Sequence, residues 1–280
     1  NVNLEEVKSG ILKAFDKFEK EGLSEKDLNR IKAGQETDFY RSLSSVLGKG
    51  TNLASYNIYT GNPGYVTQDI QKTLSVTTKD VMRVYNTYIK NKNYLATSFV
   101  PKNSPQLALK GSDLANVIEE KIIIGAETNF DLKKSSTYTR TPSLFDRTKE
   151  PEYGESPSLN TPNVYQSKLD NGLEVYGIKN SEVPLVSLNL TIDGGQLLES
   201  MDKLGLANLT SKMLNKGTKN KTLEELEKLI KELGASIYVS SSSENINISV
   251  TTLSKNYKST LLLVEEILLS PRFDLKEFDL

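Results

Sequence analysis

The sequence predicts an α+β protein in which helices pack on antiparallel sheets. Two observations carry this prediction. Residues 4–88 repeat apolar side chains every three or four positions, which is the period of an amphipathic helix. Residues 169–252 instead contain runs in which apolar and polar side chains alternate, which is typical of half-buried strands, and helical patterns stand between these runs.

The first part of the chain reads as a succession of helices. The first helix carries its apolar face on Leu4, Val7, Ile11, Phe15 and Phe18 and ends at Gly22. Four further predictions follow in order: a helix capped by Ser24 that runs through Leu47, a short helix that buries Leu53 and Ile58, a helix from Val66 to Leu74, and a helix capped by Thr77 or Thr78 that runs to Tyr88. A strand is predicted at 93–100.

The amino-acid composition changes between residues 101 and 162, where proline becomes frequent. Six of the nine prolines of the chain fall there, among polar stretches such as Lys133–Thr137, and this predicts an extended linker. Residues 113–124 fit either a helix or an apolar strand end. A partly disordered tether is the alternative for the whole segment. Three adjacent isoleucines, 122–124, are expected to be buried, because an apolar run in a polar stretch would otherwise be exposed.

Alternation resumes after the linker. Asp170-Asn171-Gly172 predicts a tight hairpin turn, because Asn and Gly accept the positive φ angles that such a turn requires. A half-buried strand is predicted from Val186 to Ile192. The remaining predictions are a helix at 204–214, a helix capped by Thr222 and closed by Gly234, strands at 236–240 and 245–252, a helix from Tyr257 to Leu268, and the start of another helix at Asp274.

The composition excludes several classes of function. The formal net charge is -1, so bulk attraction to nucleic acid or to an anionic membrane is not expected. The longest apolar runs are too short to span a bilayer. The sequence contains no His and no Cys, which removes the usual ligands of a zinc site and any disulfide. Asp193-Gly194-Gly195 fits a turn at the end of a strand better than a phosphate loop, because no further glycine motif accompanies it.

Several segments in order resemble the start of a half-molecule of the insulinase/pitrilysin zinc peptidases. They are Leu169–Tyr176, Pro184–Leu190, Asp193–Gly195, the helix segment 207–214, Lys216-Gly217-Thr218, Glu232–Ser236 and Ser270–Asp274. Phrases at 21–28, 56–63 and 74–81 similarly resemble the closing part of a C-terminal domain of this family, with an unrelated helical bundle as the alternative.

The resemblance implies a degenerate catalytic motif. Active halves of the family carry an inverted H-x-x-E-H helix that binds zinc, and the matching positions here are Asn208, Ser211 and Lys212. An amide, a hydroxyl and an ammonium do not reproduce two imidazole ligands and a general base. We therefore expect no catalytic residue and no metal ligand in this segment, and a plain amphipathic helix at 204–214. Tyr56, Tyr59 and Tyr65 fit a peptide groove or, preferably, simple packing.

The resemblance also implies a domain organisation. Residues 1–103 would end the C-terminal domain of a first peptidase half, 104–163 would be the linker between halves, and 164–280 would begin an inactive second half. Both domains would then be incomplete, and the third zinc ligand of an active half, a Glu, would lie just beyond Leu280. Because the chain opens at Asn1 without Met, we expect a segment of a longer protein.

These expectations lead to one function and one alternative function. The segment would be a non-catalytic part of a zinc metallopeptidase that degrades peptides in a closed chamber, serving as chamber wall and hinge. Zinc would be bound by the parent protein, which would itself be a metalloendopeptidase. The alternative is a non-proteolytic structural paralogue that serves as an assembly or peptide-binding subunit. Expected partners are peptide substrate and the missing halves of the same chain, and the isolated segment is expected to self-associate. The absence of Cys together with the resemblance favours a periplasmic or extracytoplasmic location.

Overall fold

The computed structural model describes residues 4–116 and 161–279, and between them only residues 146, 148–150, 152, 154–156 and 158. The isoleucines at 122–124 and most of the predicted linker lie outside the described residues. The described part combines helices with antiparallel sheets, which confirms the predicted α+β class. It contains no helix that is both long and apolar enough to cross a membrane.

Contacts between Cα atoms divide the chain into two compact units. One unit comprises Asn1–Glu6 and Ala96–Lys179, and the other comprises Val7–Leu95 and Asn180–Leu280. The predicted domain boundaries at 103 and 163 rest on the resemblance and stay a prediction.

The helical part of the larger unit follows the predicted order. Its helices are α1 (Leu4–Glu21, which belongs to this unit from Val7 onward), α2 (Glu25–Ser42), α3 (Val46–Thr60), α4 (Val66–Ser75) and α5 (Thr78–Tyr88). Local capping explains where they begin. The side chain of Ser24 accepts the N–H of Asp27 at the start of α2, and Thr77 forms a reciprocal capping box with Asp80 at the start of α5.

Three predictions in this part are wrong. The helix predicted to run from Ser24 through Leu47 is broken at 43–45, because the side chain of Ser45 accepts the N–H of Gly48 and starts a new helix. The face of α3 that carries Leu53 and Ile58 is not buried, since the Ile58 side chain is 75% exposed. Residues 93–100 form no strand, because no described segment pairs with them, and Leu95 is 88% exposed.

The sheet of the larger unit has three antiparallel strands. They are β3 (Leu185–Asp193), β4 (Ser236–Ser241) and β5 (Asn245–Leu253), in the order β3-β5-β4. Its helices are α6 (Leu206–Leu214), α7 (Leu223–Glu232), α8 (Tyr257–Leu269) and α9 (Leu275–Phe278). The core between helices and sheet is built from eight buried aliphatic residues, Leu214, Leu226, Val239, Ile248, Val250, Leu263, Val264 and Ile267.

Helix α2 contacts two connections next to this sheet, the turn after α7 and the segment between β5 and α8. The hydroxyl of Thr37 donates to the carbonyl of Gly234 at 2.7 Å, and the ammonium of Lys255 lies 2.6 Å from the carboxylate of Glu36. Gly234 has φ +57, and a Cβ built there would lie only 2.7 Å from the carbonyl oxygen of Ala33. The backbones of α2 and of the turn after α7 therefore meet where only glycine fits.

The smaller unit contains one two-stranded sheet among its described residues. Strands β1 (Val164–Lys168) and β2 (Glu174–Ile178) pair antiparallel around the predicted turn, with Tyr165 opposite Gly177. Gly172 has φ +89, and the side chain of Asn171 accepts the N–H of Leu173 at 3.1 Å. The predicted hairpin is thus confirmed.

Candidate functional site

The helix that carries the predicted motif, α6, is fixed at its start by a carboxylate. Gly205 occupies the N-cap position with φ +96 and offers no side chain. Instead, the two oxygens of Glu199 accept the N–H groups of Gly205 and Ala207, each at 2.6 Å. A negative charge at a helix N-terminus is favourable, because it pairs unsatisfied N–H groups and opposes the helix dipole.

The three predicted motif positions do not share one environment. At 3.6 residues per turn, Asn208, Ser211 and Lys212 fall within an arc of about 100° of α6. Asn208 and Lys212 are exposed, whereas Ser211 is only 2% exposed and donates its hydroxyl to the carbonyl of Ala207 at 2.9 Å. The helix therefore presents an amide and an ammonium to solvent and turns its hydroxyl into the protein.

Asn215 anchors the end of α6 to a strand. Its amide nitrogen donates to the carbonyls of Ser211 and Val239, at 2.8 and 3.0 Å, and its amide oxygen accepts the N–H of Val239 at 3.3 Å. Val239 lies on β4, which is an edge strand of its sheet. The side chain of Asn215 thus occupies both backbone hydrogen-bonding groups that β4 would offer to another strand at this position.

A charged cluster holds the turn that follows α6. Thr218 is fully buried and donates to one carboxylate oxygen of Glu266 at 2.6 Å, while the ammonium of Lys221 lies 2.5 Å from the other oxygen. The ammonium of Lys221, with the Thr218 hydroxyl, lowers the pKa of Glu266 below its ordinary value. The Lys216-Gly217-Thr218 segment is therefore tied to α8 by an ionised carboxylate.

The chemistry available on the exposed face of α6 is hydrogen bonding by the amide of Asn208 and the ammonium of Lys212. Neither an imidazole nor a thiolate exists anywhere in the sequence. Within residues 4–116, 161–279 and the described positions between them, no three metal-ligating side chains cluster closely enough to hold a metal ion. An ammonium at Lys212 would repel a dication on the exposed face of the helix. The assignment of these positions as a degenerate motif remains a prediction.

The tyrosines singled out in the sequence are divided between packing and solvent. Tyr56 donates to the carboxylate of Asp69 at 2.7 Å, and its ring lies 5.8 Å from that of Tyr65. Burial, and then the hydrogen bond to Asp69, raises the pKa of Tyr56 to about 12. Tyr59 is exposed. Two of the three tyrosines are therefore fixed by contacts within the helical part of the chain, as the packing interpretation predicts.

Sequence reasoning missed the three residues that position α6. Glu199 bonds across a loop to residues six and eight positions away, whereas Asn215 and Glu266 bond to residues 24 and 48 positions away. No periodicity in the sequence reports such bonds. A signal was present for Glu266, because it is one of two acidic residues within the apolar helix 257–269. An acidic side chain in such a helix requires a partner when it is partly buried.

Comparison with known proteins identifies the second part of the chain. Residues 175–280 match the family model described as insulinase, peptidase family M16. The chain is 32% identical over 111 residues to mitochondrial-processing peptidase subunit alpha-1 of Dictyostelium discoideum, which covers 40% of this chain and 17% of that protein. It is 30% identical over 95 residues to the non-peptidase homolog YmxG of Helicobacter pylori, which covers 34% of this chain and 22% of that protein.

A solved structure is also similar. The peptidase M16 inactive domain from Pseudomonas fluorescens shares 25% sequence identity, with a TM-score of 0.38, over 40% of this chain and 27% of that one. The chain thus spans less than a third of the length of each of these three proteins. The family predicted from the sequence is confirmed for residues 175–280.

Proposed function

We propose, from the premise that residues 175–280 belong to the insulinase family of peptidases, that this chain is a non-catalytic segment of a zinc metallopeptidase. It would contribute wall and hinge to the closed chamber in which the parent protein degrades peptides. Zinc and the reacting groups would be supplied elsewhere in the parent.

The observation that carries this proposal is the exposed face of α6. The positions that match the two zinc-binding histidines hold Asn208 and Lys212, and both are exposed. The position that matches the general base holds Ser211, which is buried and already donates to Ala207. A hydroxyl in this setting does not take a proton from water at neutral pH, and an ammonium does not bind a metal.

The hydrogen bonds at both ends of α6 support a structural role. Glu199 at one end of α6, and Asn215 and Glu266 beyond its other end, bind the helix and the following turn to their neighbours. A helix that is fixed by hydrogen bonds and carries no reacting groups suits a wall that limits a substrate space by shape. The non-proteolytic alternative, an assembly or peptide-binding subunit, draws support from the similarity to a protein described as a non-peptidase homolog.

Elemental analysis and a peptidase assay test the proposal. We expect the purified chain to contain far less than one zinc per molecule and to cleave no peptide. Restoring the motif by Asn208→His, Ser211→Glu and Lys212→His together is expected to give weak zinc binding at most. The reason is that Ser211 lies in a space that does not admit a longer ionised side chain without cost.

The control is the single variant Lys212→Ala, which removes the repelling charge but adds no ligand and should leave the zinc content unchanged. Near one zinc per unmodified chain would overturn the proposal. Peptide cleavage that is lost with a chelator would overturn it as well. A peptidase assay on the parent protein distinguishes the two functional alternatives. Peptide cleavage by the parent supports the role as chamber wall, and its absence supports the role as assembly subunit.

A further inference from the structure

A groove of about 300 Å³ lies between helix α2 and the segment that joins α7 to β4. One wall is a single stripe of α2, because its groove residues from Arg30 to Arg41 recur at steps of one or three positions. The other wall consists of groove residues between Lys231 and Ser236. We call this surface the basic groove. Its volume lies at the lower end of the range of ligand-binding clefts.

The two walls of the basic groove are linked to each other. The hydroxyl of Thr37 on α2 donates to the carbonyl of Gly234 on the opposite wall at 2.7 Å. The ammonium of Lys26 lies 3.2 Å from the carboxylate of Glu232, which adds a second link between α2 and the end of α7. A surface whose walls are already fixed loses little conformational entropy when a ligand binds to it.

Gly34 leaves open space in the middle of the α2 wall. A Cβ built at this position meets no atom of another segment within 4 Å. The residue that faces the groove from the other wall at 235 is alanine, which is also small. A longer side chain at position 34 would therefore enter the basic groove without a clash, and it would occupy the space that a ligand needs.

The lining of the basic groove is positively charged. It contains three cations, Arg30, Arg41 and Lys231, and one carboxylate, Asp38, which sum to +2. The sum is still +1 when Asp27 is included, whose carboxylate lies 3.0 Å from the guanidinium of Arg30. The whole chain carries a net charge of -1, so this excess of positive charge is a local property of the groove.

Most donors of these cations remain available to a ligand. Arg41 pairs with Asp38 through one nitrogen at 3.3 Å, and both side chains are more than half exposed. A guanidinium carries five N–H donors, and an exposed ion pair of this kind is weak, so an incoming carboxylate competes with Asp38. No ion pair joins the exposed ammonium of Lys231 to another described residue. Guanidinium groups match carboxylates in geometry, because two parallel hydrogen bonds form.

We propose that the basic groove binds an acidic segment of a peptide in an extended conformation. Arg30 and Arg41 are eleven positions apart on α2, which places them ~16 Å apart along the helix axis. An extended peptide rises about 3.3 Å per residue, so roughly five residues span this distance. Such binding requires neither zinc nor peptide cleavage, so it goes beyond the proposed function and its test can fail without affecting that function.

Fluorescence anisotropy of labelled hexaglutamate, titrated with the purified chain at low salt, tests the charge recognition. The unmodified chain should bind hexaglutamate and not hexaglutamine. Arg41→Gln and Lys231→Gln should each raise the dissociation constant about three- to tenfold, because each removes a charged donor from the groove. Arg83→Gln is the matched control and should leave binding unchanged. Arg83 is an exposed arginine on α5 that pairs with Asp80 three positions away, as Arg41 pairs with Asp38.

A substitution that fills the groove tests the location. Gly34→Leu keeps every charge, and leucine favours a helix more than glycine does, so the variant should fold. It should weaken hexaglutamate binding at least about tenfold, because its side chain occupies the groove. Gly10→Leu is the matched control, since Gly10 lies in α1 and a Cβ there also meets no atom within 4 Å. Circular dichroism verifies that each variant is folded.

Four results would each overturn the proposal. The first is a dissociation constant for hexaglutamate weaker than about 1 mM. The second is equally tight binding of an oligothymidylate of the same charge, which would show unspecific attraction of polyanions. The third is equal weakening by either control variant. The fourth is a folded Gly34→Leu variant that binds hexaglutamate as the unmodified chain does.

Discussion

Replacing Thr37 by Val probes the contact between α2 and the second part of the chain. Thr37 is only 4% exposed, and its hydroxyl lies 2.7 Å from the carbonyl oxygen of Gly234 and 3.0 Å from that of Ala33. Valine has nearly the same shape and is also branched at Cβ, so the helix itself changes little. What the substitution removes is the donor to a carbonyl 197 residues away in the sequence.

The expected loss follows from the burial of that carbonyl. A hydroxyl carries one proton, so one donated hydrogen bond disappears at any time. Leaving a buried acceptor without its donor costs about 1–3 kcal/mol, whereas the added methyl group recovers part of this by apolar burial, ~0.8 kcal/mol at most. We expect the free energy of unfolding of the larger unit to fall by about 1–2 kcal/mol.

Urea denaturation followed by circular dichroism measures this change, and Thr87→Val is the matched control. Thr87 is an exposed threonine in α5 whose hydroxyl donates only to the carbonyl of Arg83, at 2.8 Å. The control should change the free energy of unfolding by less than about 0.5 kcal/mol. If the two variants differed by less than this, the hydrogen bond between α2 and Gly234 would not hold these segments together.

Three further predictions concern the turn after α6, the sheet edge and the linker. The pKa of Glu266 is lowered in the folded chain, so its ionised form stabilises the fold above the ordinary carboxyl pKa of about 4.3, and this contribution is lost as the pH falls through the lowered value. Glu266→Gln should therefore reduce stability at pH 7 and flatten the acid decline; parallel stability curves for variant and parent would contradict this. Asn215→Ala should reduce the free energy of unfolding by about 1–3 kcal/mol, because both backbone groups of Val239 lose their partner, and an unchanged urea midpoint would refute that role. Hydrogen exchange over 113–125 should be slower than over 133–140 if the isoleucines at 122–124 are buried, and equal rates would show that they are not.

The starts of most helices could be predicted because their determinants are local. A capping box needs four consecutive residues, and Thr222–Glu225 forms the reciprocal bonds that its sequence predicts. Of the two threonines that were candidates for the cap of α5, Thr77 forms such a box with Asp80. The turn at Gly172 is local in the same sense, since its positive φ angle of +89 is one that glycine itself accepts. The order of segments likewise sufficed to predict the insulinase family for residues 175–280.

Burial at the candidate site depended on the rest of the molecule. Helical spacing places Asn208, Ser211 and Lys212 close together on α6, yet only Ser211 is buried, because burial depends on what packs against each position. The strand predicted at 93–100 fails for a related reason. Alternation describes a strand that is able to pair, whereas a strand forms only beside a partner.

The residues that hold α6 in place are the part that only the tertiary structure decided. Glu199 lies in a loop, Asn215 follows the helix and Glu266 lies in α8, and none belongs to a recognisable local pattern. Their partners are backbone groups, a hydroxyl and an ammonium, up to 48 residues away in the sequence. A hydrogen bond depends on distance and direction in space, so the sequence by itself determined which segments fold, and the packing of those segments determined which side chains meet.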